Sequence, residues 1–139
     1  MRILVFGTFD LLHPGHISLF EQARELHDGA ELHAIVARDA TVHVVKGLAP
    51  VDDENERVKN VASFVDRAHL GYFGDKYALI EQIRPDIIAL GYDQKHFVSS
   101  LRGALASRGL EPRIVRLKPY MPEIYKSSLL RGFTSDSSG

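Results

Sequence analysis

Residues 2–16, Arg-Ile-Leu-Val-Phe-Gly-Thr-Phe-Asp-Leu-Leu-His-Pro-Gly-His, decide the fold of this chain. The apolar run 2–6 has the length and composition of a buried strand, and Gly7 closes it. A helix is predicted over 14–27, because apolar residues recur there at helical spacing and Pro14 suits a first helical turn. A strand that passes through a short polar turn into a helix is typical of α/β proteins.

The rest of the chain repeats this alternation. Further strands are predicted over 31–37, 68–72, 86–90 and 113–117, and further helices over 52–64, 77–83, 96–108 and 129–133. Near-continuous apolar strands alternating with helices predict a single Rossmann-like domain of the α/β class, a doubly wound five-stranded parallel sheet with helices on both faces.

Three regions complete the predicted organisation. The stretch 38–50 shows little helical pattern and is predicted to be a long loop beside the site. The domain is expected to span 1–133, and the polar tail 134–139 is expected to be disordered.

Composition bounds the function. The 139 residues carry a net charge of -1, so no global basic field attracts nucleic acid. The absence of cysteine excludes disulfides, thiolate zinc sites and cysteine nucleophiles. Residues 1–6 are too short and wrongly flanked for a signal peptide, so none is expected. No apolar run approaches the ~18 residues of a membrane span. We therefore expect a cytoplasmic protein with no membrane association.

Polar, glycine-punctuated stretches follow three of the predicted strands, at 7–10, 38–39 and 91–94. In a doubly wound sheet, ligands bind outside the carboxyl ends of the strands, near the point where strand order reverses. These stretches are therefore predicted to converge on one cleft.

Two histidines, His13 and His16, stand at the start of the first predicted helix, three residues apart. Free N–H groups and the positive dipole end at this position suit a phosphate, and two imidazoles there could stabilise charge that builds on a phosphorus under attack. A metal site is the rival interpretation, but no third ligand stands at metal-site spacing. The remaining histidines are interpreted as incidental: His27, His33, His43, His69 and His96.

The motif Gly7-Thr8-Phe9-Asp10 followed by His13-Pro14-Gly15-His16 resembles the signature of the cytidylyltransferase-like nucleotidyltransferase superfamily. The superfamily's second mark is a serine- or threonine-rich helix start near the C-terminus, and residues 124–131, Ile-Tyr-Lys-Ser-Ser-Leu-Leu-Arg, resemble it. Within the superfamily, residues 35–39, 85–94 and 115–120 are most similar to the archaeal FAD synthases.

The resemblance implies transfer of AMP from ATP to FMN, which gives FAD and pyrophosphate, by a homodimer. A divalent cation such as Mg²⁺ would be carried with the nucleotide phosphates and needs no dedicated protein ligands. Two alternatives stay open. One is a cytidylyltransferase that uses CTP and glycerol 3-phosphate or another small phosphorylated acceptor. The other is a non-catalytic nucleotide-binding domain.

The resemblance also implies roles for individual residues. His13, His16 and Lys46 would be catalytic, although Lys46 is equally well interpreted as a solvated surface lysine. Arg57 would contact the acceptor, with a helix-surface salt bridge as its alternative. The implied nucleotide-binding set is Thr8, Phe9, His13, Pro14, Gly15, His16, Asp93, Tyr120, Ser127, Ser128 and Arg131. Within it, Asp93 could instead cap a helix and Tyr120 could simply pack.

Overall fold

The computed structural model describes residues 1–72, 75, 77–91, 94 and 98–119, and at 45, 46, 98 and 99 it describes the backbone alone. The strands are β1 (Arg2–Gly7), β2 (Glu31–Val36), β3 (Arg67–Leu70), β4 (Ile87–Leu90) and β5 (Arg113–Arg116). The helices are α1 (Pro14–Glu25), α2 (Asp39–Lys46), α3 (Glu54–Ala62), α4 (Ala78–Ile83) and α5 (Val98–Ala106). The predicted helix 129–133 and tail 134–139 lie outside the described residues.

The five strands form one sheet, and every neighbouring pair is parallel. Their order is β3-β2-β1-β4-β5, so the predicted doubly wound α/β sheet is confirmed. From β1 the chain runs outward through β2 to β3, and it then crosses back to form β4 and β5 on the other side of β1. The switch point of the sheet therefore lies between β1 and β4, where ligands bind in folds of this type.

Helices cover both faces of the sheet. Side chains of α1 and α3, such as Phe20 and Val61, pack in one buried cluster with Ile3 and Val5 of β1. Side chains of α4 and α5 pack in a second cluster with Leu4 of β1 and with β4. Successive residues of β1 point to opposite faces, so this strand supplies side chains to both clusters and lies at the centre of the molecule.

The prediction of a loop over 38–50 was wrong, because α2 occupies most of that stretch. The helix begins after Arg38 and ends at Gly47, which adopts the left-handed conformation with φ of 76°. Val42 is buried, so one apolar side chain anchors the helix to the protein. The pattern looked non-helical because β-branched residues with low helix propensity fill this segment, and tertiary packing overrides that preference.

Among the described residues, no helix is long and apolar enough to cross a membrane.

We predict opposite effects for alanine at two glycines. A Cβ atom at Gly47 or at Gly103 would meet no atom within 4 Å, so backbone conformation alone decides each outcome. Gly47→Ala should lower the free energy of unfolding by about 1 kcal/mol, because alanine resists the left-handed conformation that ends α2. Gly103→Ala should raise it by ~0.5–1 kcal/mol, because Gly103 lies within α5. Urea unfolding measures both; a stabilising Gly47→Ala would contradict the assigned helix end.

Candidate active site

The turn between β1 and α1 is buried and conformationally unusual. Thr8, Phe9 and Asp10 are all buried, and Phe9 and Leu11 adopt positive φ angles of 55° and 53°. Non-glycine residues rarely adopt such angles unless surrounding contacts hold them. The Phe9 ring is held between Phe20, with ring centroids 5.3 Å apart, and His16, with ring centroids 5.8 Å apart. These ring contacts hold the turn in its unusual conformation.

His13 and His16 together cap the first turn of α1. His13 is the N-cap residue, and its Nδ1 accepts a hydrogen bond from the Gly15 N–H at 3.0 Å. The Nδ1 of His16 accepts in return from the His13 N–H at 3.2 Å. The two ring centroids lie 4.0 Å apart. Both imidazoles therefore lie side by side at the start of α1.

The caps determine which nitrogen of each ring can act on a ligand. Because Nδ1 accepts a backbone N–H in both rings, each neutral imidazole carries its proton on Nε2. Burial lowers the pKa of His13 below its ordinary value of 6.5, which favours this neutral form at pH 7. In each neutral ring the N–H group is therefore at Nε2, and an N–H donor of this kind could stabilise a phosphate oxygen as charge builds on it.

Asp10 fastens the loop before α3 to this turn. Its buried carboxylate accepts hydrogen bonds from the Val51 N–H at 2.7 Å and the Asp52 N–H at 2.9 Å. The sequence placed Asp10 in the polar turn but gave it no role. Its partners stand 41 and 42 residues further along the chain, and no local pattern indicates such a pair.

Arg57 of α3 occupies the interior of the site. Its side chain is fully buried, and Nη1 donates to the carbonyls of Thr8 at 2.8 Å and Ala37 at 2.7 Å. Nη2 donates to the Asp39 carboxylate at 2.6 Å, and Nε donates to the Asp52 carbonyl at 3.1 Å. This guanidinium ties the end of β1 to the end of β2. The sequence suggested either a contact with the acceptor or a salt bridge on the helix surface. Neither interpretation anticipated a guanidinium that is fully buried.

The predicted convergence of the strand ends is confirmed for the described residues. The Ala37 N–H donates to the Gly7 carbonyl at 3.0 Å, which joins the segments that follow β2 and β1. On the other side, the Gln94 amide donates to the Phe6 carbonyl, which joins the segment after β4 to β1. The three polar stretches therefore meet around the carboxyl end of β1.

The structure places the remaining predicted site residues as follows. Pro14 is exposed as the first residue of α1, and Gly15 beside it is partly buried. Lys46 is the last residue of α2, where the structure describes the backbone but not the side chain. The other predicted nucleotide-binding residues lie outside the described part of the chain: Asp93, Tyr120, Ser127, Ser128 and Arg131. Within the described part, no group of three or more metal-binding side chains could hold an ion.

We predict that Arg57→Met lowers the free energy of unfolding by about 3–5 kcal/mol. The change strips three backbone carbonyl groups of a donor and leaves Asp39 without its cation. Arg24→Met is the matched control, because Arg24 is half-exposed and also bonds to a carboxylate and a carbonyl; it should cost under about 1 kcal/mol. Urea unfolding measures both, and equal losses would show that burial of Arg57 does not matter.

We predict that His13 makes stability depend on pH below 6.5. Its pKa is lower in the folded chain than in the unfolded chain, so protonation opposes folding. Stability that is fully present above pH 6.5 is lost as the pH falls from 6.5 through the folded pKa. His13→Asn keeps an N-cap oxygen for the Gly15 N–H but cannot titrate. Between pH 7.5 and 5.5 the wild type should lose more stability than His13→Asn, and equal losses would refute this role.

Comparisons with known proteins agree with this geometry. The cytidylyltransferase-like family model matches residues 4–133. The chain is 50% identical to the FAD synthase of Methanosarcina barkeri over 119 residues, which cover 84% of this chain and 82% of that protein. It is 40% identical to the FAD synthase of Thermoplasma acidophilum over 133 residues, which cover 94% and 92% of the two chains.

A solved structure is also similar to most of the chain. It is the crystal structure of a protein from Thermoplasma volcanium that is described as a lipopolysaccharide core biosynthesis protein. The two folds superpose with a TM-score of 0.79 at 39% identity, covering 86% of this chain and 98% of the other. The residues that the family model matches include the histidine turn and the whole described sheet except the first two residues of β1. The chain belongs to the cytidylyltransferase-like family.

Proposed function

We propose that this chain is a nucleotidyltransferase that transfers AMP from ATP to FMN and releases pyrophosphate. The observation that carries the proposal is the pair of imidazoles at the start of α1, whose Nδ1 atoms accept hydrogen bonds from backbone N–H groups, so that each neutral ring carries its proton on Nε2. The choice of ATP and FMN is supported by the relatives named FAD synthase, which are 38–50% identical to this chain.

The reaction is a direct displacement at phosphorus. An oxygen of the FMN phosphate forms a bond to the α-phosphorus of ATP, and the bond from that phosphorus to the bridging α–β oxygen breaks. The electron pair leaves with pyrophosphate, so no covalent enzyme intermediate is required. The protein's task is to align the two phosphates and to stabilise the charge that develops on the α-phosphate oxygens.

His13 and His16 would donate their Nε2–H groups to those oxygens. The neutral state of His13 suits this role, because a neutral imidazole with Nδ1 bonded to the backbone keeps one fixed donor orientation. The first N–H groups of α1 and the helix dipole would add to the positive potential at the α-phosphate. Phe9 and Gly15 would contribute shape, since one packs against His16 and the other bonds to His13.

The remaining roles are proposals from the family resemblance. Thr8, Lys46, Ser127, Ser128 and Arg131 would hold the triphosphate. Asp93 would bond to the ribose or base, and Tyr120 would contact the adenine. A divalent cation would be carried on the nucleotide phosphates and would neutralise the pyrophosphate that leaves.

For Arg57 we now propose a positioning role in place of acceptor contact, because the side chain is fully buried and four of its five N–H groups donate to the protein backbone and to Asp39. The catalytic unit would comprise residues 1–133. Three further points remain predictions: a cytoplasmic location, a homodimer and the absence of a nucleic-acid partner.

The reaction is tested by incubating the purified protein with Mg²⁺ and each nucleotide and acceptor pair, and following pyrophosphate and the nucleotide product. FAD from ATP and FMN, with no product from CTP and glycerol 3-phosphate, is the expected result. A CDP-linked product from CTP alone would replace the proposal with a cytidylyltransferase. Tight ATP binding with no turnover for any pair would make the chain a non-catalytic nucleotide-binding domain.

We predict that His16→Asn lowers turnover by a hundredfold or more, equivalent to about 3 kcal/mol of transition-state stabilisation. Asparagine can still accept the His13 N–H through Oδ1 but lacks the Nε2–H donor. The control is His27→Asn, because His27 is an exposed histidine just after α1. Turnover of His16→Asn within a few-fold of the control, at equal thermal stability, would remove His16 from the catalytic machinery.

A further inference from the structure

The central strand pair of the sheet stops pairing before its strands end. β1 and β4 pair through Ile3 with Ile87 and Leu4 with Ile88, although β1 continues to Gly7 and β4 to Leu90. The other neighbours of these two strands pair to their ends. β1 pairs with β2 as far as Gly7, and β4 pairs with β5 as far as Leu90. The break in pairing is therefore confined to the switch point between β1 and β4.

A side-chain amide occupies this break. If the register of Leu4 and Ile88 continued for two residues, Phe6 would face Leu90 and its carbonyl would stand beside the Gly91 N–H. Instead, Oε1 of Gln94 accepts from the Gly91 N–H at 2.7 Å, and Nε2 of Gln94 donates to the Phe6 carbonyl. The amide thus replaces one backbone hydrogen bond by two and acts as a spacer between the strands.

The spacer is itself fixed on the β4 side. The Gln94 N–H donates to the Gly91 carbonyl at 3.1 Å. Nη1 of Arg116, the last residue of β5, donates to that same carbonyl at 2.7 Å and also to the carbonyl of Gln94. A Cβ atom at Gly91 would lie 3.3 Å from Leu19 Cδ1 and 3.4 Å from the Gln94 amide oxygen. Glycine at 91 therefore leaves the room that the amide uses.

We propose that Gln94 is a positioning residue that sets the separation of β1 and β4 at the nucleotide crevice. The inference rests on the proposed function, because the crevice matters only if nucleotide binds there. Phe6, which Gln94 holds, directly precedes the turn that leads to His13 and His16. A change in its distance from β4 would shift both imidazoles relative to a nucleotide that also contacts the segment after β4.

The chemistry at this position requires a donor and an acceptor on one flat group. Glutamate has nearly the same size and can still accept from the Gly91 N–H, but it presents a charged oxygen to the Phe6 carbonyl. Gln94→Glu should therefore push the ends of β1 and β4 apart while changing little else. Methionine has a similar size but can neither bond to Gly91 and Phe6 nor repel the Phe6 carbonyl electrostatically. Gln94→Met therefore tests the loss of the two hydrogen bonds alone.

The chain offers a matched control in Gln22 of α1. Its amide accepts from the Lys118 N–H at 2.9 Å and donates to the Lys118 carbonyl at 3.0 Å, so it makes the same pair of bonds between two segments. Like Gln94, Gln22 is partly buried. Its contacts lie after β5, away from the break between β1 and β4. Gln22→Glu thus removes an equivalent bridge outside the crevice.

The experiment measures ATP affinity by equilibrium titration and FAD formation by steady-state kinetics, at a temperature where circular dichroism shows every variant folded. We expect Gln94→Glu to raise the Kd for ATP and to lower kcat/KM for ATP, each by tenfold or more, and Gln22→Glu to stay within about twofold of wild type. The KM for FMN should change less than the KM for ATP.

A Gln94→Glu protein that melts earlier but keeps wild-type ATP affinity and kinetics would overturn the inference, because that pattern is purely structural. If Gln94→Glu does not fold, Gln94→Met decides. A threefold or greater rise in its Kd for ATP supports the role, and an unchanged Kd refutes it. If the wild type binds ATP but makes no FAD, the proposed reaction fails, yet the ATP affinities still test Gln94.

Discussion

The structure depends on how the carbonyl groups at the end of β1 and directly after it find hydrogen-bond donors. Polar backbone groups buried at a strand end must find partners, since an unsatisfied one costs about 1–3 kcal/mol. The Phe6 carbonyl receives the Gln94 amide, the Gly7 carbonyl receives the Ala37 N–H, and the Thr8 carbonyl receives the Arg57 guanidinium. Three consecutive acceptors thus recruit donors from three distant parts of the chain. Because these donors belong to α3, to the segment after β2 and to the segment after β4, their hydrogen bonds bring all three segments together at the end of β1.

Hydrogen bonds to the backbone also determine the arrangement of the histidine turn. An ordinary helix start is capped by serine, threonine, asparagine or aspartate, whose role ends with the cap. Here two imidazoles cap α1 through Nδ1. Fixing one nitrogen on the backbone fixes the tautomer and orientation of the other. The stability of the helix start and the proposed donation from Nε2 to a phosphate therefore depend on the same bonds, which is why substitutions that mimic Nδ1 alone can separate the two roles.

Much of the fold was predictable because it rests on local periodicity. The apolar runs of β1 and β4 and the helical spacing in α1 can be recognised from neighbouring residues, and every described strand and helix that was predicted lies within two residues of its predicted bounds. The exception is α2, whose residues have weak helix propensity and which is held by the burial of Val42. A helix stabilised by its surroundings carries no signal in its own sequence.

The sequence by itself determined the doubly wound sheet and the place of the histidine pair, because strand and helix periods and a contiguous motif are properties of short segments. Only the tertiary structure decided the hydrogen-bond partners of Asp10, Arg57 and Gln94. Their partners lie 41 or more residues away for Asp10, 49 for the bond from Arg57 to Thr8, and 88 for the bond from Gln94 to Phe6. These donors and acceptors come together only when the chain has folded. Their separation in the sequence therefore follows no pattern from which the pair could be recognised.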